Sequence, residues 1–374
     1  MTTADILARI SLSDDQLSEK SGIDVDRIQE IRAGGQASLS ELRTLASGLG
    51  VSLASLVTAS SADDADKPLL FRRTGNQTSE LDRARTQVWG YVFAALEFLP
   101  KQPTNHIFVR TTPPDETYET AARLANSVRE LLAPGRLFDP MADLVELVGA
   151  KAGVIVAPLR KSRFEGASLL VKGRPFIFVS PRFTGRMLFT IAHELGHLIA
   201  HHPFQSEAIF EKSSEIGGRR QRQREAFVDA FASALLMPTE GVARMLGQVR
   251  KHLGVSSDKV GDIEILLLAR FYGVSFDVAA RRLEGLDIIP PGAAQSLADK
   301  IKAEFGSPEK RAEQAKLPPR TEITLHQISP ILLDAILPEL EAGKISAGWI
   351  SNQFGVSAHQ LFNAHREYRR ESRH

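Results

Sequence analysis

Residues 188–202 read LFTIAHELGHLIAHH, an apolar helical run with two imidazoles and a carboxylate set into it. Leu188, Ile191, Ala192, Leu195, Leu198 and Ile199 cover most of the circumference of such a helix, so it has to be buried. Imidazole and carboxylate groups in a buried helix need partners. His193 and His197 are four residues apart, which puts both rings on one face, one turn apart, where a single ion can bind both. Glu194 lies about 100° around the helix from His193 and can reach a water on that ion without being a ligand. Zinc lowers the pKa of such a water towards roughly 7. A carboxylate beside it, here Glu194, can act as catalytic base and later pass the proton to a leaving amine. Four of the ten histidines fall between 193 and 202.

The chain has no cysteine, so disulfides and thiolate metal sites are excluded and His, Asp or Glu must supply a third ligand. His201 is a poor candidate, because it stands about 12 Å from His193 at 1.5 Å per residue. The best candidate is Glu225 in REAFVDAFASALLMP (224–238). Glu225 and Asp229 share one helical face, while Phe227, Val228, Phe231, Leu235 and Leu236 mostly face elsewhere. One acid can bind zinc, and the acid one turn on can hold a ligand histidine by its second nitrogen. Glu207, Glu211 and Glu215 are weaker rivals, since their segment lacks a matching apolar face.

The rest of the chain reads as mostly helical. Ser13 caps a helix over 14–20 that Gly22 ends, and Asp24 caps the next over 25–32, which Gly34 and Gly35 stop. A third helix over 40–48 starts at Ser38 or Ser40. Residues 59–68 are small, polar and acidic, a linker composition. Helices are expected at 78–99, 115–133, 140–150, 184–202 and 224–236. Strands at 153–159, 168–173 and 175–181 form a small antiparallel sheet, and 240–374 is helical with a polar break near 287–320. The fold class is α+β. A helix-turn-helix domain over 1–58 and a linker over 59–77 come first. A helical segment over 78–135, a peptidase core over 136–245, a helical tail over 246–289 and a helical region over 290–374 follow.

A corner recurs in LASGLGVSLASLV (45–57), LARFYGVSFDVAA (268–280) and ISNQFGVSAHQLF (350–362), with HLGVSSDKV (252–260) sharing its core. Glycine supplies a left-handed helix end and serine caps the next helix. That is the corner of a helix-turn-helix, and also of any two packed helices.

Taken together, FTIAHELGHLIAH, the run Glu225 to Pro238 and LARFYGVSFDVAARRLEGLDII (268–289) resemble the ImmA/IrrE family of metallopeptidases over roughly 115–285. Phe227 departs from it, where the family often has a second acid. The resemblance implies a gluzincin-like, zinc-dependent endopeptidase of narrow specificity, one Zn2+ per chain, which cuts a transcriptional repressor and releases stress or mobile-element genes. Residues 4–58 resemble a Cro/repressor-type helix-turn-helix, which implies DNA contacts from Arg27, Gln29 and Arg32. Against that, residues 1–58 carry five basic and eight acidic side chains, net −3, and duplex affinity comes largely from neutralising phosphates. The rival reading is a DNA-binding regulator whose metal domain senses with little turnover. An intact Glu194 favours the enzyme.

Charged residues make up 24% of the chain and nearly cancel to +1, so no global basic excess points to nucleic acid. The start MTTADILARISLSDD lacks a signal peptide's basic and apolar regions, and no apolar stretch is long enough for a bilayer, so a cytoplasmic protein is expected. Substrate is expected extended along 175–181 or 168–173. His201, His202 and Arg222 are candidate oxyanion or substrate contacts. The run IGGRRQRQR (216–224) is expected as a loop whose arginines attract acidic segments.

Overall fold

The computed structural model describes residues 13–35, 37–49, 80–99, 113, 115–160, 164–201, 209–210, 219–320, 322–323 and 325–371. The expected linker lies outside them, as does most of the corner at 45–57. The chain divides into two compact units, one made of Met1–Pro100 with Leu332–His374, the other of Lys101–Ile331. The helical stretch expected at 78–135 therefore divides between the units, as does the region expected at 290–374.

In the first unit, α1 (Asp14–Ser21), α2 (Val25–Arg32) and α3 (Leu39–Leu49) pack around Leu17, Ile28, Ile31 and Leu45, all fully buried. The local signals act as expected. Ser13 Oγ accepts from the Gln16 amide at 3.2 Å while the Gln16 side chain accepts from the Ser13 amide, and Gly22 is left-handed at φ 69°. Asp24 caps α2, and Ser38 rather than Ser40 accepts from the first turn of α3. Helix α4 (Glu80–Phe98) belongs to the same unit. There Tyr91 and Phe98 meet Phe354 and Trp349 of the C-terminal stretch at ring separations of 5.0 and 5.5 Å.

The second unit holds the sheet and its covering helices. After α5 (Tyr118–Leu132) and α6 (Leu144–Ala152) come β1 (Ile155–Pro158), β2 (Gly166–Val171) and β3 (Arg174–Val179). A two-residue strand, β4 (Ile209–Phe210), completes the order β1-β3-β2-β4. The sheet is mixed, not antiparallel as expected: β1 pairs parallel with β3, whereas β2 pairs antiparallel with both β3 and β4. The reason is connectivity. Lys172 and Gly173 turn β2 back along β3 with positive φ, while the link from β1 to β2 is too long for a tight hairpin and leaves β1 on the far side of β3.

Helix α7 (Thr184–Ala200) lies on β2 and β3, and α8 (Arg219–Leu236) packs against its other side. The helix expected from 224 thus begins five residues earlier, and Arg219–Arg224 form its first turns rather than a loop. Helices α7 and α8 cross closely at Gly196. A Cβ there would stand 2.9 Å from Phe231 Cδ1 and 3.2 Å from Val228 Cβ. Helix α5 packs on α8. Fully buried Arg129 of α5 donates to the carbonyls of Leu235, Arg136 and Asp139 at 2.5–2.9 Å. Its burial lowers its pKa to about 10, which leaves it charged at neutral pH.

Helices α9 (Thr239–Leu253), α10 (Asp262–Tyr272) and α11 (Phe276–Gly285) follow. Buried Arg282 of α11 donates to Met237 O at 2.9 Å, so two guanidiniums satisfy the carbonyls that end α8. The corner between α10 and α11 has the expected chemistry, with Gly273 at φ 72° and Ser275 accepting from Val278 N. Phe276, Ala279, Ala280 and Leu283 of α11 are buried core, while Asp277 and Arg281 are exposed. After Gly254 the next helix waits until Asp262, and Ser256 caps nothing. The break expected near 287–320 contains two helices, α12 (Ala293–Phe305) and α13 (Pro308–Gln314). Three more, α14 (Pro330–Glu341), α15 (Ala347–Phe354) and α16 (Ala358–Glu371), close the chain, with Gly355 left-handed and Ser357 capping α16.

Two outcomes test this packing. Gly196→Ala forces a methyl between α7 and α8, and a loss of about 1–3 kcal/mol is expected by chemical denaturation. The second concerns the ion pair between Arg27 Nε and Glu41 Oε1 at 2.7 Å. Arg27, with help from the Ser38 amide, lowers the Glu41 pKa from 4.5 to about 2. A depressed carboxylate stabilises the fold above its unfolded pKa and loses that contribution as pH falls through the folded one. Glu41→Gln should therefore weaken amide-exchange protection at Ile28 and Ile31 at neutral pH. The deficit against wild type should close between pH 4.5 and pH 2.

Candidate metal centre

The apolar face of α7 buries its polar residues almost completely: Glu194 is 0% exposed, His193 and His197 1% each. Helix α8, crossing at Gly196, brings Glu225 over the two rings. His193 Nε2 and His197 Nε2 lie 3.1 Å apart, and Glu225 Oε2 stands 3.3 Å from the first and 3.4 Å from the second. These are the donor atoms of a group able to hold a metal ion. Three ligands at about 2.0–2.1 Å from a tetrahedral ion stand about 3.3–3.4 Å from one another. The observed triangle therefore fits a zinc-sized ion, and its N2O donor set is of the kind zinc accepts.

The electrostatics favour an ionised Glu225. Burial alone would raise the Glu225 pKa, but the two imidazoles outweigh it and hold the carboxyl well below the usual carboxylate range. Burial pushes His197 down, and the neighbouring His193 adds to that. The downward shift favours the neutral form of His197, the form a ligand must take.

Asp229, one turn along α8, places Oδ1 2.9 Å from His193 Nδ1. A carboxylate there keeps the proton on Nδ1 and leaves Nε2 bare, the arrangement expected from the i, i+4 spacing. Glu194 faces the sheet side. A Cβ on Gly166 of β2 would stand 2.6 Å from Glu194 Oε1 and from Thr190 Cγ2. Glycine at the start of β2 is what lets the carboxylate pass.

Other expected residues fall elsewhere. His201, considered for oxyanion or substrate contact, is 3% exposed, and its Nδ1 lies 2.8 Å from His197 Nδ1. It therefore faces the ring of His197, one of the candidate ligands. Its other side meets Glu116 Oε1 at 3.3 Å, with Arg224 Nε 3.7 Å from the same oxygen. Glu116 was invisible to sequence reasoning, since it stands 85 residues before His201 and looks like one more acid at a helix start. Arg222 is exposed on α8, and His202, Glu207, Glu211 and Glu215 lie outside the described residues. The strand expected to receive substrate at 175–181 is central, with β1 on one side and β2 on the other, so it offers no edge. On β2, β4 pairs with Ala167 and Ser168 among the described residues. Among the expected DNA contacts, Gln29 is exposed, Arg27 is ion-paired to Glu30 and Glu41, and Arg32 to Asp14 at 2.9 Å.

A mixed sheet carrying a buried HExxH helix, with an acid delivered from the following helix, defines a metallopeptidase-like domain. Residues 151–284 match the family model of the IrrE N-terminal-like domain, a metal-dependent peptidase family, which bears out the metallopeptidase part of the resemblance. No curated protein matches the chain. Among the described residues, no single helix is long and apolar enough to cross a membrane.

Gly166→Ala should displace the Glu194 carboxylate without touching the triad. Peptidase turnover is expected to fall at least tenfold while metal content, read by elemental analysis, stays at the wild-type level.

Proposed function

We propose that this chain is a zinc-dependent endopeptidase of narrow specificity, with His193, His197 and Glu225 as ligands and Glu194 as general base. The observation that carries the reading is the triangle of donor atoms at tetrahedral spacing, beside a fully buried carboxylate on the same helix. When bound, zinc supplies Lewis acidity for a scissile carbonyl and lowers the pKa of an attacking water. Glu194 Oε accepts the proton that water gives up and hands it to the leaving amine. Asp229 holds the proton of His193 on Nδ1, and the glycine at 166 keeps space for the base to move.

The substrate is a regulatory protein, a transcriptional repressor, as the resemblance to the ImmA/IrrE family suggests. Its cleavage would derepress stress or mobile-element genes. Extended substrate would pair along β2, the strand that falls in the expected stretch 168–173. The exposed Arg222 of α8 would draw acidic segments of a substrate. A DNA-binding regulator with a sensing metal domain is the weaker reading. Two of its three expected DNA contacts, Arg27 and Arg32, are already engaged by acids of their own domain.

The test is co-expression with neighbouring repressor genes, followed by mass spectrometry of fragments. Wild type should release repressor fragments and carry one zinc per chain. Glu194→Gln should keep the zinc and lose cleavage. Glu225→Ala should lose both, and full zinc occupancy in that variant would sink the ligand assignment.

A further inference from the structure

The outward nitrogens of both candidate ligand histidines lead to a carboxylate, by different routes. His193 Nδ1 meets Asp229 directly. His197 Nδ1 meets His201 Nδ1 at 2.8 Å, and His201 Nε2 stands 3.3 Å from Glu116 Oε1. Glu116 lies just before α5, outside the matched segment 151–284. Arg224, one residue before Glu225, approaches the same Glu116 oxygen at 3.7 Å. Phe227 of α8 stands edge-on to the His201 ring, with centroids 6.4 Å apart. The buried ring is thus held between an aromatic wall, a ligand histidine and an acid.

We propose that Glu116 is a positioning residue for the metal, acting through His201 to select the metal-competent tautomer of His197. The argument is one of proton direction and rests on the zinc reading above. A neutral imidazole carries one proton. If His197 offers Nε2 to a metal, its proton is on Nδ1, donated to a bare His201 Nδ1. The His201 proton is then on Nε2, on the side of Glu116. An ionised carboxylate only accepts, so Glu116 permits this direction and opposes the reverse. In the reverse chain, His201 Nδ1–H donates to His197 Nδ1, and the His197 proton sits on Nε2, where it blocks the metal. Asp229 makes the same choice for His193 in one step. The Glu116 charge also strengthens His197 as a donor, as outer carboxylates do for ligand histidines.

Zinc affinity of the full-length chain, measured by competition with a chelator, tests this. The variants are Glu116→Ala, Glu116→Gln and Glu119→Ala, the last removing an exposed neighbour that pairs only with Arg123 among the described residues. Glu116→Ala should weaken zinc binding about 10–100-fold. Glu116→Gln, whose amide both donates and accepts and so sets no direction, should weaken it less. Glu119→Ala should bind as wild type. The metal-free melting temperature should be the same in all, which separates positioning from folding. In the metal-free chain, imidazole 15N shifts should report one tautomer of His201 in wild type and a mixture in the Glu116 variants. Should Glu116→Ala fail to fold, Glu116→Gln still decides. Wild-type affinity in both Glu116 variants, or equal weakening by Glu119→Ala, overturns the inference and leaves the zinc reading standing. A wild-type chain that binds no zinc overturns both.

Discussion

The close crossing of α7 and α8 at Gly196 is the contact on which the centre depends. Glycine lies between the two histidines in sequence, and the side of the helix it leaves bare is the side α8 occupies. Val228 and Phe231 of α8 press into that gap, and Glu225 and Asp229, flanking Val228 in sequence, are thereby set above the rings. The same few apolar contacts fix both the candidate ligand acid and the acid that meets His193. A side chain at 196 would move both together.

Much of this was legible in the sequence because the site uses short-range rules. The i, i+4 pairs His193/His197 and Glu225/Asp229 need only helical geometry to become faces, and apolar context says which helices are buried. Helix ends were equally readable where serine, aspartate or glycine performs a local task, as at Ser13, Gly22, Asp24 and Gly273. The sheet was less readable. Its strands were located within two or three residues, but whether β1 ran parallel depended on chain routing between 158 and 166, which no local pattern records. The start of α8 was missed because a run of arginines and glutamines looks like a solvated loop, although those side chains are good helix formers. Glu116 could not be found at all, because its meaning comes from a partner 85 residues away.

The helix-turn-helix corners show how one local signal serves different ends. At Gly273 and Gly355 the backbone and the serine cap are alike. Following Gly273, the second helix is committed to the core, and Arg282 is spent on the end of α8. At Gly22, the turn is followed by a helix whose two arginines are turned back onto acids of the same domain. The corner fixes how two helices meet. What the second helix does is decided by its side chains and their neighbours.

The division of the chain gives the peptidase unit an unusual form of attachment. Because residues 1–100 and 332–374 belong to one unit, the stretch between them is an insertion, joined to its host by two covalent links rather than one. A single backbone cut near residue 100 would leave the two units connected through the other link, where a serial arrangement would let them separate. Losing the peptidase from its host would take two cuts.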